Sequence, residues 1–438
     1  MRLFFRTTLF VLLLLFSGGA AAKVYIDIEA PAGRRLPIAV QTFKNMSAAE
    51  EGPETAVLAE ELYDTIVSDL SFTDLFDVIE REAYLEDPAA AGITRKETDF
   101  SDWRAIRAEA LVKGGVKKEG GRLVFEVRIF DTVTEEQIFG KRYLGRVKSL
   151  RSIAHRFTDD LMERLTGKPG VFSTRLLFVS DRTGNKEIYI CDYDGGNTRR
   201  ITRNGSINLS PQWSPDGKRI IYSSYKNGRP SLYMLDLLTG REHVISDREG
   251  INIGGRWSPD GKRIILTLSV DESPELYTID LDTMAAKRLT SNWGIDVSPT
   301  WSPDGRSVAY VSDTAGNPHI YMLDLQTGKK RRLTFEGKYN TSPAWSPDGK
   351  WIAWSSLGDD GRFDIWIMTA DGGERRRLTS RGNNKTPSWS PDSRYIVFSS
   401  TREGATSLYI MGLDGSGLRK IDTGEGSAFS PAWSPYLR

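Results

Sequence analysis

The chain has 438 residues, 39% of them hydrophobic, which exceeds a single ordinary domain and leads us to expect two separate cores. The formal charge of +1 includes Arg2 and Arg6 at the extreme N-terminus, so the rest of the chain sits near −1, and there is no electrostatic case for nucleic acid or anionic lipid. Cys191 is the single cysteine, which excludes an intramolecular disulfide framework and a cysteine-built zinc site; stability has to come from burial.

Arg2 and Arg6 precede an apolar run, Leu9 to Phe16, and then small residues from Ser17 to Ala22. That order predicts a secretory signal peptide over residues 1–22, cleaved after Ala22, where Ala20 and Ala22 make an Ala-x-Ala site, or after Ala21. The competing reading is a membrane anchor, but a span needs about 20 apolar residues and the run is shorter. A soluble, exported protein is expected.

Residues 23–168 alternate strand and helix patterns and predict a small α/β domain. Strands are expected at Val24 to Ile28, Leu36 to Phe43, Leu75 to Ile79, Ala110 to Lys117, Leu123 to Phe130 and Gln137 to Leu144, with Gly120-Gly121 as a hairpin turn. Leu58, Leu62, Ile66 and Leu70 fall four apart, as do Ile153, Phe157, Leu161 and Leu165, so each set predicts an amphipathic helix. The second should stop at Gly167, with Pro169 beyond it.

From there a Trp-Ser-Pro motif recurs at Trp213, Trp257, Trp301, Trp345, Trp389 and Trp433, each 44 residues after the last. A fixed period of this size marks a solenoid, propeller or array. The unit beginning at Trp301 contains strand-like runs at Ser307 to Ser312, His319 to Leu325 and Lys330 to Thr334, separated by turn residues, and with the tryptophan strand this makes four strands and no helical period. Residues 169–438 are therefore expected to form a six-bladed β-propeller. The first blade lacks its tryptophan strand, and the C-terminal "SPAWSPYLR" should supply it and close the ring.

In the Ser-Pro-Asp-Gly segments proline presets φ, and aspartate and glycine suit the following corners. Asp216, Asp260, Asp304 and Asp348 accordingly read as turn residues rather than metal ligands, and the tryptophans as packing between blades rather than stacking on a ligand. Gly255 replaces the proline two before the tryptophan and Ser393 replaces the turn glycine; both look tolerable. Five positions before each tryptophan stand Asn208, Asn252, Asp296, Asn340, Asn384 and Ala428. Two readings are open: the five polar side chains encircle one channel mouth and grip a partner, or they stabilise their own loops.

Chemistry is hard to find. A propeller peptidase would carry a Gly-x-Ser-x-Gly elbow, and none occurs. His155, His243 and His319 lie on a helix and in two different blades, and form no candidate triad or metal cluster. The expectation is no catalytic residue, no cofactor and no metal; the alternative is an envelope propeller enzyme or a carbohydrate-binding protein.

"LPIAVQTF" at 36–43, "LTGKPGVFSTRL" at 165–176, "DYDG" at 192–195 and "FSPAWSPYL" at 429–437, with the domain order, resemble the TolB family of the Tol-Pal envelope system. The resemblance implies a periplasmic, non-enzymatic, monomeric protein that binds the lipoprotein Pal at the propeller mouth and the inner-membrane protein TolA through its N-terminus. Such a protein supports outer-membrane integrity and constriction in cell division. The TolA stretch is Lys23 to Arg34, with Lys23, Val24, Tyr25, Ile26, Asp27 and Ile28 as contact residues adding a strand to the partner. The Pal rim is Asn208, Asn252, Asp296, Asn340 and Asn384. In "EGINIGGRW", before Trp257, Ile251 stands where the family suggests histidine, and Gly255 where it suggests proline. Pal occupancy is expected to be coupled, reciprocally, to docking of the N-terminal arm.

Overall fold

The computed structural model describes residues 34–47, 52–87, 91–271 and 273–437. The predicted signal peptide, the strand at Val24 to Ile28 and the TolA contact residues Lys23 to Ile28 lie outside them. The chain divides into two compact units, one running through Arg151 with Arg164–Gly167 added, the other made of Ser152–Glu163 and Lys168–Arg438.

The first unit is a mixed sheet with strand order β3-β1-β4-β5-β6, comprising β1 (Leu36–Val40), β3 (Phe76–Val78), β4 (Ala110–Glu119), β5 (Arg122–Asp131) and β6 (Gln137–Gly145); the short β2 (Lys44–Asn45) also pairs with β4. β1 runs parallel to both β3 and β4, and helix α1 (Gly52–Phe72) makes the crossover. Its buried stripe, Leu58, Leu62, Ile66 and Leu70, is the one the four-residue spacing predicted, and it packs on β3 and β4. Gly120 and Gly121 both have positive φ, the backbone that a two-residue turn between β4 and β5 demands. A short helix that the periodicity did not reveal, α2 (Phe100–Ala105), starts where Asp99 accepts a hydrogen bond from the Ser101 N–H at 2.9 Å. It brings Phe100 and Trp103 into a cluster with Ala39, Leu111 and Phe130.

Helix α3 (Leu150–Thr166) ends at Gly167, whose φ is +75°. The boundary was expected at residue 168, but Ser152–Glu163 group with the second unit. There the Asp159 carboxylate accepts hydrogen bonds from the Phe172 and Ser173 N–H groups, both at 2.9 Å.

The second unit is six four-stranded antiparallel sheets. Five are contiguous in sequence. The sixth joins the C-terminal strand Ala428–Trp433 to β7 (Arg175–Ser180), β8 (Glu187–Asp192) and β9 (Arg199–Arg200), in that order, so the last strand does close the first blade. The innermost strands neighbour one another around a closed ring. Each is interrupted by a bulge centred on a residue in the left-handed region: Ser210, Gly254, Ser298, Ser342, Thr386 and Ser430, with φ between +46° and +69°.

The turn and packing readings hold. Asp216, Asp260, Asp304 and Asp348 each accept from the serine hydroxyl two residues back at 2.5–2.6 Å and from the backbone N–H two residues on. Ser393 occupies the glycine corner at φ +63°, and its hydroxyl accepts from the Asp348 N–H of the preceding blade at 3.0 Å. At Gly255 a Cβ would come within 2.9 Å of Leu232, so this strand's missing proline is matched by a close leucine.

Five of the six motif tryptophans are buried, and each buried ring is worth roughly 1.5–3 kcal/mol by area. Three of them, Trp213, Trp301 and Trp389, donate from Nε1 to a carbonyl of the adjacent inner strand: Ala432, Arg256 and Ala344. Trp345 departs: it is only partly buried and donates to Gly349 of its own turn.

Candidate functional site

The loops that lead into the innermost strands surround one mouth of the propeller. Asn208, Asn252, Asp296, Asn340 and Asn384 stand where these loops become strands, and their side chains are buried. Asn208 Nδ2 lies within hydrogen-bond range of Lys186 O, Glu187 Oε2, Asn204 Oδ1 and Ser206 O at 2.9–3.2 Å. Asn252 Nδ2 has Pro230 O, Arg248 O and Gly250 O as partners. Asn384 Nδ2 donates to the Asp364 carboxylate at 3.0 Å, and its Oδ1 accepts from Arg402. Asn340 Oδ1 accepts from Trp354 Nε1 at 2.8 Å. Backbone N–H groups repeat the pattern: Asn208, Asp296, Asn340 and Ala428 donate to Lys186, Pro274, Pro318 and Thr406, each in the preceding blade. These positions staple each loop to the blade before it, which is the loop-stabilising reading of the two that were open.

The charged member of the column behaves differently. Burial pushes the Asp296 carboxyl above its usual range despite hydrogen bonds from neighbouring side chains, and the Glu275 carboxylate beside it adds to the rise. Asp296 Oδ1 and Glu275 Oε2 both lack a hydrogen-bond partner among the described residues. In the loops of Asn208 and Asn384 an amide N–H answers the equivalent carboxylate. Asp296→Asn is therefore expected to stabilise the propeller by about 1–3 kcal/mol at neutral pH, the cost of an unsatisfied buried group. A carboxyl whose folded pKa is raised imposes its penalty only above the unfolded value of about 3.9, so the gap between variant and parent should close as pH falls through the raised pKa toward 4. Chemical denaturation at pH 7 and pH 4 checks both the sign and the trend.

The mouth does present apolar side chains, set among exposed charged ones such as Arg203, Glu249, Glu336 and Lys338. The residues immediately before the stapling column are Ile207, Ile251, Ile295 and Tyr339 on successive loops, and Ile207, Ile295 and Tyr339 are 41–46% exposed. Trp293 is 77% exposed and Phe335 62%. Beside them lies a pocket of about 330 Å³ whose wall includes Gly337, Asn340, Trp354, Trp366 and Arg375. Arg332 and Arg375 both lie over the Phe335 ring, at 5.0 and 5.7 Å. The sequence reading passed over this apolar column although it repeats with the same period one residue earlier.

A second cavity, about 220 Å³, lies inside the channel along the bulge residues and reaches Trp345 and Pro347. Arg256 also lines it; the column one before the tryptophan reads Gln212, Arg256, Thr300, Ala344, Ser388, Ala432, so a single charge among small neutral residues was the available signal. The three histidines stay apart: His155 and His319 are buried and His243 is exposed. Burial and nearby Arg332 hold the His319 pKa down.

This is a closed propeller of six Trp-Ser-Pro blades that follows a small α/β domain. The family description "TolB beta propeller domain" matches residues 162–437 and "TolB amino-terminal domain" matches residues 24–138. The chain belongs to the TolB family. It is 44% identical over 194 residues to the Tol-Pal system protein TolB of Desulfosudis oleivorans, covering 44% of each chain. It is 42% identical over 211 residues to that of Syntrophotalea carbinolica, covering 48% of each. The matched stretches thus span under half the length of these relatives. The crystal structure of TolB from Acinetobacter baumannii is similar with a TM-score of 0.79 and 28% identity, over 92% of this chain and 98% of that one. Among the described residues no helix is long and apolar enough to cross a membrane.

Proposed function

We propose that this chain is a non-enzymatic, periplasmic binding component of the Tol-Pal system that docks Pal on the apolar loop mouth of its propeller and TolA through Lys23 to Arg34. In this role it links the two envelope membranes through its partners, maintaining outer-membrane integrity and supporting constriction at division. The observation that carries the reading is the set of exposed apolar side chains, Ile207, Trp293, Ile295, Phe335 and Tyr339, at the mouth of a closed ring. Large exposed aromatics beside a formed pocket are what partner interfaces are built around, whereas isolated exposed apolar residues need no explanation. Since the stapling residues Asn208, Asn252, Asp296, Asn340 and Asn384 are engaged in their own loops, their part in Pal binding is to hold the collar in shape.

Calorimetric titration of Pal's periplasmic domain tests this. The paired substitution Trp293→Ser with Phe335→Ser is expected to weaken binding by roughly 100-fold or more, two hot-spot side chains' worth, without lowering the melting temperature. Undiminished binding would remove the collar from the interface. A chain starting at Leu36 supplies the second arm: loss of TolA binding with Pal binding altered supports coupling, and unaltered Pal binding removes the coupling.

A further inference from the structure

The channel cavity contains one group whose chemistry nothing in the described structure answers. Arg256 projects into it from the second inner strand, its Nη1 is sealed from solvent, and that atom has no hydrogen-bond partner. No carboxylate is among the residues that line the cavity. The electrostatics agree: burial alone lowers the guanidinium to about 10, with no neighbouring charge contributing, so the side chain is still cationic at neutral pH. Arg256 as a whole is partly buried, but a guanidinium N–H sealed from solvent with no partner is costly, and proteins keep one where a counter-charge is supplied. Arg219 and Arg263, the arginines that cover Trp257 and Trp301, differ from Arg256 in having an aspartate within 4 Å.

The rest of the lining is uncharged, a mixture of hydroxyls with apolar groups such as Pro347, Pro387, Trp389 and Pro431. Ser210, Ser298, Ser342, Thr386 and Ser430, the bulge residues, all line the same cavity, together with Gln212. Hydroxyls can donate to an anion and reorient to suit it. The volume of about 220 Å³ corresponds to roughly seven waters, too small for a typical organic cofactor and ample for a small anion with part of its hydration. One positive charge, a planar donor fork and neutral hydroxyls match a planar anion of single charge.

We infer that the propeller channel is a binding site for a small monocarboxylate, held by the Arg256 guanidinium and supported by the ring of bulge hydroxyls. The site is separate from the apolar collar and does not depend on which protein docks there. Trp345 and Trp389 line the cavity and provide a built-in optical reporter.

The test uses the full chain with sodium acetate as the probe and sodium chloride at matched ionic strength as the control. Acetate is expected to produce a saturable change in tryptophan fluorescence and a rise in melting temperature that follows the same saturation curve. Chloride should produce neither. Arg256→Gln should abolish the acetate response. Arg256→Lys, which keeps the charge but loses the fork, should bind acetate roughly tenfold more weakly, the equivalent of one charge-assisted hydrogen bond, and it carries the test if the glutamine variant does not fold. An acetate response no different from that of chloride, or one that persists in Arg256→Gln or is undiminished in Arg256→Lys, overturns the proposal. Tighter binding of inorganic phosphate than of acetate overturns the single-charge match.

Discussion

Trp433→Ala is expected to destabilise the propeller by about 3–5 kcal/mol, lowering its melting temperature by roughly 6–20 °C. Trp433 lies in the strand that closes the ring, pairing Ala428 with Ser180 and Trp433 with Leu176 across some 250 residues of chain. Its indole is buried, donates to Thr174 Oγ1 at 2.8 Å, and stacks on Tyr395 of the neighbouring blade with centroids 6.5 Å apart. Truncation therefore leaves a cavity at the seam where the first and last blades meet, and removes the hydrogen bond to Thr174, whose hydroxyl keeps only its bond to the Val171 carbonyl. Trp345→Ala is the internal control. That ring is only partly buried, and its indole hydrogen bond goes to its own turn, so its loss should cost about 1–2 kcal/mol in proportion to the smaller buried area. Thermal unfolding followed by near-ultraviolet circular dichroism separates the two variants, and equal effects would contradict a special role for the seam.

The second large effect belongs to the N-terminal unit. Lys113 is completely buried in β4, and its ammonium lies 2.9 Å from both oxygens of Glu86. Gln41 Nε2 and Trp103 Nε1 also donate to Glu86 Oε2, at 3.2 and 3.1 Å. Desolvation is the largest influence on Lys113 and pulls its pKa down, with Glu86 opposing it. Glu86→Ala removes the only carboxylate bonded to this buried cation among the described residues, and is expected to cost about 3–5 kcal/mol. Because the loss comes from the stranded charge, Lys113→Met in the Glu86→Ala background should recover part of it. A double-mutant cycle in urea measures this, and simple additivity would contradict the pairing account.

The architecture was legible because its determinants are local. The tryptophan period, the Ser-Pro-Asp-Gly corners and the short strands between them each lie within one repeat, and the structure returns Ser307–Ser312 as expected, while the strands starting at His319 and Lys330 end at Asp324 and Arg332, one and two residues early. Even the closing strand could be placed, since a repeat lacking its first strand demands one from elsewhere. The boundary inside α3 was not legible: the bonds from Phe172 and Ser173 that tie Asp159 to the propeller unit leave no periodic trace.

The mouth shows the same division. A polar residue at a loop–strand junction looks solvent-facing in sequence, and only the fold reveals that Asn208 reaches Glu187 and Lys186, or that Asn384 reaches Asp364, each about 20 residues back in the preceding blade. Partner types also vary from blade to blade, with Glu187, Glu275, His319 and Asp364 in related places, so no repeated pair announces the network. The exposed collar was hidden for the opposite reason. An apolar residue at a strand entry, such as Ile207, Ile295 or Tyr339, carries no sign of exposure in the sequence, and only the burial of the polar residue after each shows which way it is turned. Arg256 could have been singled out as the lone charge in its column, but its lack of a partner is a property of the assembled channel.

The most direct test of a Pal-docking mouth is amide hydrogen exchange on the full chain with and without Pal's periplasmic domain. The account predicts added protection in the loops before Asn208, Asn252, Asp296 and Asn340, with the Ser-Pro-Asp-Gly turns at the far ends of the inner strands unchanged. Protection confined to those turns, or to the N-terminal unit, would place the interface elsewhere and contradict the account.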